Sequence, residues 1–163
     1  MKLFLLIVIA CIAFKAIKTI LSELRKYLLY SKCLEEVIDS SRAGEYAYCL
    51  EKVISSTHPD IILYNKIERQ VFGYFFALCF AVVDRIYNVD FTEFEYQKGI
   101  SISVKHATVH VLKVLQEDGR LLRNAYWNYA EMRVGGENVG KPVDFLSFKR
   151  LLTALIHILT WPD

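Results

Sequence analysis

The chain has 163 residues, of which 54% are apolar and 13% aromatic, with 20 basic residues against 18 acidic ones. This length fits one domain with room for an anchor, and three prolines and seven glycines exclude a linker-rich or disordered chain. The nearly neutral charge balance lacks the excess of basic residues that is typical of nucleic-acid-binding proteins, so we expect no nucleic-acid partner.

The first predicted element is a hydrophobic helix that starts close to the first residue. Residues 3–14 carry no polar side chain, but they give only about 18 Å of helix. Extension to Leu21 supplies the length that a hydrocarbon core of about 30 Å needs. Lys15 and Lys18 lie on one face of this extension and can reach the headgroups. The predicted membrane-anchor residues are Leu3, Phe4, Leu5, Leu6, Ile7, Val8, Ile9, Ile12 and Phe14.

Two other fates fit the same run, namely cleavage as a secretory or lipoprotein signal and burial as a core helix. The residues after Cys11 continue an apolar helix, where a processed lipoprotein usually has a polar tether. The run is apolar on every face and then becomes amphipathic, a change that membrane insertion explains. We therefore predict a single span in residues 1–22 and one helical domain in residues 23–163.

Charged residues around the run predict the orientation of the span. Lys2 precedes the run, whereas four basic residues follow it within a short distance, namely Lys15, Lys18, Arg25 and Lys26. The positive-inside tendency then places the domain in the cytoplasm. Cys11, Cys33, Cys49 and Cys79 show no metal-binding spacing and fit reduced thiols in that compartment. A disulfide between Cys33 and Cys49 is the alternative if the domain is exported.

Apolar residues at spacings of three and four predict that the first helix continues far beyond the span. Ile17, Leu21, Leu24 and Leu28 follow this pattern, and we expect the helix to end near Asp39. A second, shorter helix is predicted over residues 43–56. A third is predicted to start at residues 57–59, where Thr57 or His58 would cap it, and to end near residue 88.

The centre of the third helix, residues 71–83, is apolar on all sides, which is typical of a helix surrounded by other helices. Three further helices are predicted over residues 101–117, over residues 120–133, and from a cap at Asp144 to an end at Trp161 and Pro162. The predicted fold class is therefore an all-α bundle of about five or six helices. The alternative is an α+β fold with one small hairpin near residues 91–105.

His106 and His110 are the candidate metal ligands. They are four residues apart on the helix over residues 101–117, so both imidazoles can face one ion. They lie opposite the apolar face of that helix, which favours solvent-exposed histidines instead. No catalytic constellation is complete, and we predict no cofactor.

Aromatic and basic residues predict a surface for a protein partner. On the helix over residues 120–133, Arg123 is interleaved with Tyr126, Trp127 and Tyr129, and Phe91 and Phe94 lie in an acidic segment before it. Such residues anchor protein interfaces, either with the rest of the chain or with a partner.

The sequence thus predicts a non-catalytic, membrane-tethered helical module that binds another protein as an accessory, regulatory or immunity-type protein. One alternative is a soluble helical protein that binds an apolar ligand or lipid between its helices, in a pocket lined by residues 71–83 and by the aromatic helix over residues 120–133. Another is a helical metalloenzyme that uses His106 and His110.

Overall fold

The computed structural model describes residues 1–40, 59–87, 102–134 and 141–160. Within these ranges the fold is all-α, as predicted, with no strand. The helices are α1 (Lys2–Asp39), α2 (Lys66–Tyr87), α3 (Ile102–Glu117), α4 (Gly119–Val134) and α5 (Phe145–Thr160), and a 3-10 helix, Pro59–Leu63, precedes α2.

Parts of the predicted organisation lie outside the described residues. The second helix, over residues 43–56, is among them, as are Thr57 and His58. Most of the alternative hairpin is also outside, but its last four residues, 102–105, form the first turn of α3. The second strand of that hairpin is therefore helical at these positions.

Helix α1 is unbroken for 38 residues and ends at Asp39, which confirms its predicted continuity and end. At 1.5 Å per residue it is about 57 Å long. Its buried side chains belong to the last third, namely Tyr30, Cys33, Leu34, Val37 and Ile38. This part contacts α2, α3 and α4, so α1 joins the bundle by one end only.

Helix α2 is the central helix of the bundle, because every residue from 71 to 83 is buried. This confirms the prediction from its all-round apolar sequence. Its predicted start was wrong, since the 3-10 helix Pro59–Leu63 is a separate element. Asn65 caps α2 instead: its Oδ1 accepts the N–H of Glu68 at 2.9 Å, and Glu68 Oε2 accepts the N–H of Asn65 at 3.0 Å.

Aspartates start the last two helices. Asp118 Oδ1 accepts the N–H of Arg120 at 3.1 Å and that of Leu121 at 3.2 Å, at the first turn of α4. Asp144 Oδ1 accepts the N–H of Ser147 at 2.7 Å, which confirms the predicted cap of α5. The hydrogen bonds that Ser147 donates to the Asp144 carboxylate lower the pKa of Asp144.

A cluster of aromatic side chains fills the core between α2, α4 and α5. The ring of Phe148 lies 4.7 Å from that of Phe75 and 5.3 Å from that of Tyr129. The buried Tyr74 hydroxyl lies 3.0 Å from the carbonyl oxygen of Ala125 and 2.9 Å from Asn128 Oδ1. Ring pairs of this kind each contribute about 0.5–1.5 kcal/mol beyond area burial, so this cluster fixes α4 and α5 on α2.

Candidate functional site

The candidate functional site is the part of α1 that the bundle leaves uncovered, residues 2–26, which we call the exposed segment. Each of its residues is exposed, and it extends for about 38 Å. All nine predicted anchor residues lie on it, with exposed fractions from 37% at Val8 to 73% at Leu3. They are Leu3, Phe4, Leu5, Leu6, Ile7, Val8, Ile9, Ile12 and Phe14.

The exposed segment is long and apolar enough to cross a membrane. Its most apolar window has a mean hydropathy of 2.4, and no part of that window is buried. Helix α2 has a similarly apolar centre, but other helices cover it on all sides. Within the described part of the chain, the exposed segment is therefore not a core helix, which was one of the three fates that its sequence allowed.

After Lys2, the charged side chains of the exposed segment begin where the apolar run ends. Lys15, Lys18, Arg25 and Lys26 are all exposed, and Lys26 Nζ pairs with Glu23 Oε1 at 3.4 Å. The Thr19 hydroxyl donates to the carbonyl oxygen of Lys15 at 3.0 Å. This hydroxyl is satisfied within its own helix, so it does not oppose burial of this turn in lipid.

Two ion pairs fasten α1 where it enters the bundle. Arg120 Nη1 lies 2.7 Å from Glu35 Oε1, and Arg85 pairs with Glu36. The Glu35 carboxylate raises the pKa of Arg120. Exposed pairs of this kind contribute about 0–1 kcal/mol each, so the burial of Leu34 and Val37 supplies most of the attachment. Sequence reasoning missed both pairs, because each joins residues far apart in the chain.

The predicted partner surface on α4 divides into a buried and an exposed part. Tyr129 is buried, and Tyr126 is half-buried and donates its hydroxyl to the carbonyl oxygen of Val143 at 3.0 Å. Both tyrosines therefore serve the packing of this chain. Arg123 and Trp127 are exposed, with 64% of Trp127 accessible. Four residues apart on a helix, they share one face.

Phe91 and Phe94, the other two residues of the predicted partner surface, lie outside the described residues. The same holds for the side chain of His106. His110 is exposed, and its ring lies 6.3 Å from that of Tyr30. The described residues contain no group of three or more histidine, cysteine or acidic side chains that could hold a metal ion. The metal site at His106 and His110 stays a prediction.

The predicted apolar-ligand site lay between α2 and the aromatic helix α4. The part of the structure that is described fills this space with side chains, since the rings of Tyr74 and Tyr129 are 5.7 Å apart. On the side of α2 that faces α3, the buried Cys79 thiol lies 3.8 Å from the carbonyl oxygen of Thr108. No described contact indicates a ligand in this region, and ligand binding stays a prediction.

No protein-family model, no curated protein and no solved structure matches this chain. The exposed segment of α1 is therefore the feature that says most about function. A soluble monomer rarely leaves a contiguous apolar surface of this extent uncovered, and such surfaces mark contacts with a membrane or another protein.

Proposed function

We propose that this protein is a non-catalytic, membrane-tethered helical module that binds another protein. Residues 1–22 are its single membrane span, and the bundle lies in the cytoplasm. The observation that carries the proposal is the exposed segment, whose apolar window has no residue buried by the described bundle.

The energetics of insertion support a span. Residues 3–21 contain 12 leucine, isoleucine, valine or phenylalanine residues, each of which favours the bilayer centre by about 0.3–0.6 kcal/mol. Together they contribute about 4–7 kcal/mol in favour of insertion. Lys15 and Lys18 oppose it, but they lie toward the end of the span, where their ammonium groups can reach the headgroups.

The geometry of α1 supports a tether with little freedom between span and domain. Residues 3–21 cover about 28 Å, close to the hydrocarbon thickness. The next eight residues, 22–29, form a stalk of about 12 Å, after which Tyr30 is the first buried residue of the helix. One continuous helix therefore places the bundle next to the headgroups in a fixed orientation.

The exposed face of α4 supports a protein partner. Arg123 and Trp127 combine a cation with a large exposed aromatic side chain, and these two residue types are enriched among the side chains that dominate interface energies. A tether raises the effective concentration of such a surface for a partner in the same membrane. Neither residue is needed for the core.

A crosslinking experiment in membranes tests this proposal. A photoreactive amino acid is placed at Trp127 in the full-length protein, with the exposed Lys149 on α5 as the matched control position. We expect a discrete adduct with another protein from position 127 and none from position 149. Equal labelling at both positions, or none at either, would contradict a binding surface on α4.

A further inference from the structure

We propose that α1 pairs with α1 of a second copy of this chain, side by side and in parallel. The contact is the heptad stripe, which consists of Ile17, Leu21, Leu24 and Leu28. All four side chains are about half exposed, from 48% at Leu21 to 58% at Leu28. The inference rests on the proposed membrane tether in one respect, since the anchor makes the two helices parallel.

The spacing of the stripe is that of a coiled coil. Its members are four, three and four residues apart, and Phe14 extends it by one position toward the N-terminus. Phe14, Leu21 and Leu28 then occupy heptad position a, and Ile17 and Leu24 occupy position d. Side chains at these positions form the seam between two supercoiled helices.

Polar residues of the same segment avoid the seam. The outer heptad positions b, c and f between residues 15 and 26 are occupied by Lys15, Ala16, Thr19, Ser22, Glu23 and Lys26. A helix that only crosses lipid gains nothing from separating polar and apolar residues in this way. From residue 22 onward, where the helix has left the lipid, a second helix against the seam explains this separation, because the outer positions of a coiled coil face the solvent.

The stripe and the bundle lie on different sides of α1. The side that packs into the bundle is centred on Tyr30, Leu34 and Val37. At 100° per residue, the direction of this buried side differs from that of the stripe by about 140°. Two copies can therefore bring their stripes together while their bundles stay outside the pair.

Charge selects the parallel arrangement. Lys18 and Arg25 occupy heptad position e, whereas Ala13 and Ile20 occupy the g positions five residues before them. In a parallel pair, position e of one helix faces this preceding position g of the other, so Lys18 lies beside Ala13 and Arg25 beside Ile20, and no cation faces another. In an antiparallel pair the e positions face one another, and Lys18 and Arg25 would repel. Glu23 does not relieve this repulsion, because it pairs with Lys26 on the outer side.

Two heptads are too short for a stable coiled coil between free helices. Here the helix is held at one end by the proposed span and at the other by the bundle, so pairing costs less conformational entropy. Leu24 and Leu28 lie beyond residue 22, outside the lipid, where removal of their exposed surface from water favours association.

Disulfide crosslinking of the full-length protein in membrane vesicles tests the proposal. The background carries Cys11→Ser and Cys49→Ser, and the remaining Cys33 and Cys79 are buried. Single cysteines are introduced in turn by Leu21→Cys, Leu24→Cys and Leu28→Cys. Ser22→Cys and Lys26→Cys are the matched controls, because these positions lie at the same height on outer faces of the helix.

We expect covalent dimers at all three stripe positions after mild oxidation, at least tenfold above the two controls. Crosslinking at three successive seam positions identifies a parallel pair. In an antiparallel pair, a residue lies opposite the same residue of the other copy only at the centre of the overlap. Equal yields at stripe and control positions, or no dimer anywhere, would overturn the proposal. Carbonate extraction of the same vesicles distinguishes failure of the pairing from failure of the membrane tether. A monomer that stays in the membrane refutes the pairing alone, whereas a protein that carbonate extracts refutes the tether.

Discussion

Removal of residues 1–22 is the perturbation whose outcome the structure determines most clearly. Every residue from 1 to 26 is exposed, and the buried part of α1 begins at Tyr30. The truncated chain therefore loses no buried contact of the described bundle. Changes confined to exposed positions usually alter stability by less than about 0.5 kcal/mol. We expect the free energy of unfolding of the domain to change by no more than this amount.

The assay is urea unfolding followed by far-ultraviolet circular dichroism, with both chains in the same nonionic detergent. Leu34→Ala, made in the truncated chain, is the reference for a real loss of packing, because Leu34 is fully buried where α1 joins the bundle. Leu-to-Ala changes at such sites cost about 2–5 kcal/mol. If the truncation lowers the stability as much as Leu34→Ala does, residues 1–22 belong to the domain and the reasoning fails.

Three further predictions concern the domain and can be measured on the truncated chain. Tyr74→Phe removes a buried hydroxyl that two groups on α4 bind, and we expect a loss of about 1 kcal/mol in urea unfolding. Asp144→Ala removes the cap of α5, so we expect a lower urea midpoint at neutral pH. In the folded parent chain the pKa of the Asp144 carboxyl lies below the ordinary 3.8. The stabilisation by this carboxylate is therefore present above pH 3.8 and is lost as the pH falls through the lowered pKa. Burial raises the pKa of the Cys33 and Cys79 thiols, and we expect maleimide to label neither before the domain unfolds.

Each of these predictions has a result that would contradict it. Unchanged stability of Tyr74→Phe would mean that the hydroxyl has no role in fixing α4. A difference between Asp144→Ala and the parent that persists after the Asp144 carboxylate is protonated at low pH would show that the charge of the carboxylate is not what caps α5. Rapid labelling of Cys79 in the folded domain would show that the centre of α2 is accessible to solvent.

Much of the fold could be predicted because each helix carries a strong pattern. Residues 71–83 are apolar on every side, and a helix of this composition must be surrounded by others, as α2 is. The spacing from Ile17 to Leu28 indicated that α1 continues through its charged residues. The start of α2 was missed because Pro59 is also a good first helical residue, although Asn65 and Glu68 carry the signature of a capping box.

The candidate site could be predicted only in part. The apolar run of α1 was clear in the sequence, but its exposure depends on which elements pack on it, and only the fold shows that. Tyrosine and tryptophan combine an apolar body with a polar tip, so the sequence could not separate the buried Tyr129 from the exposed Trp127. The pair between Arg120 and Glu35 joins residues 85 positions apart, beyond the reach of any local pattern.

Carbonate extraction of the full-length protein, beside the chain that lacks residues 1–22, tests the membrane tether most directly. Both chains carry an N-terminal tag, so that cleavage of a signal would be seen as loss of the tag. We expect the full-length protein to stay in the membrane pellet with its tag, and the truncated chain to stay in the supernatant. Full-length protein in the supernatant as a soluble monomer would contradict the tether.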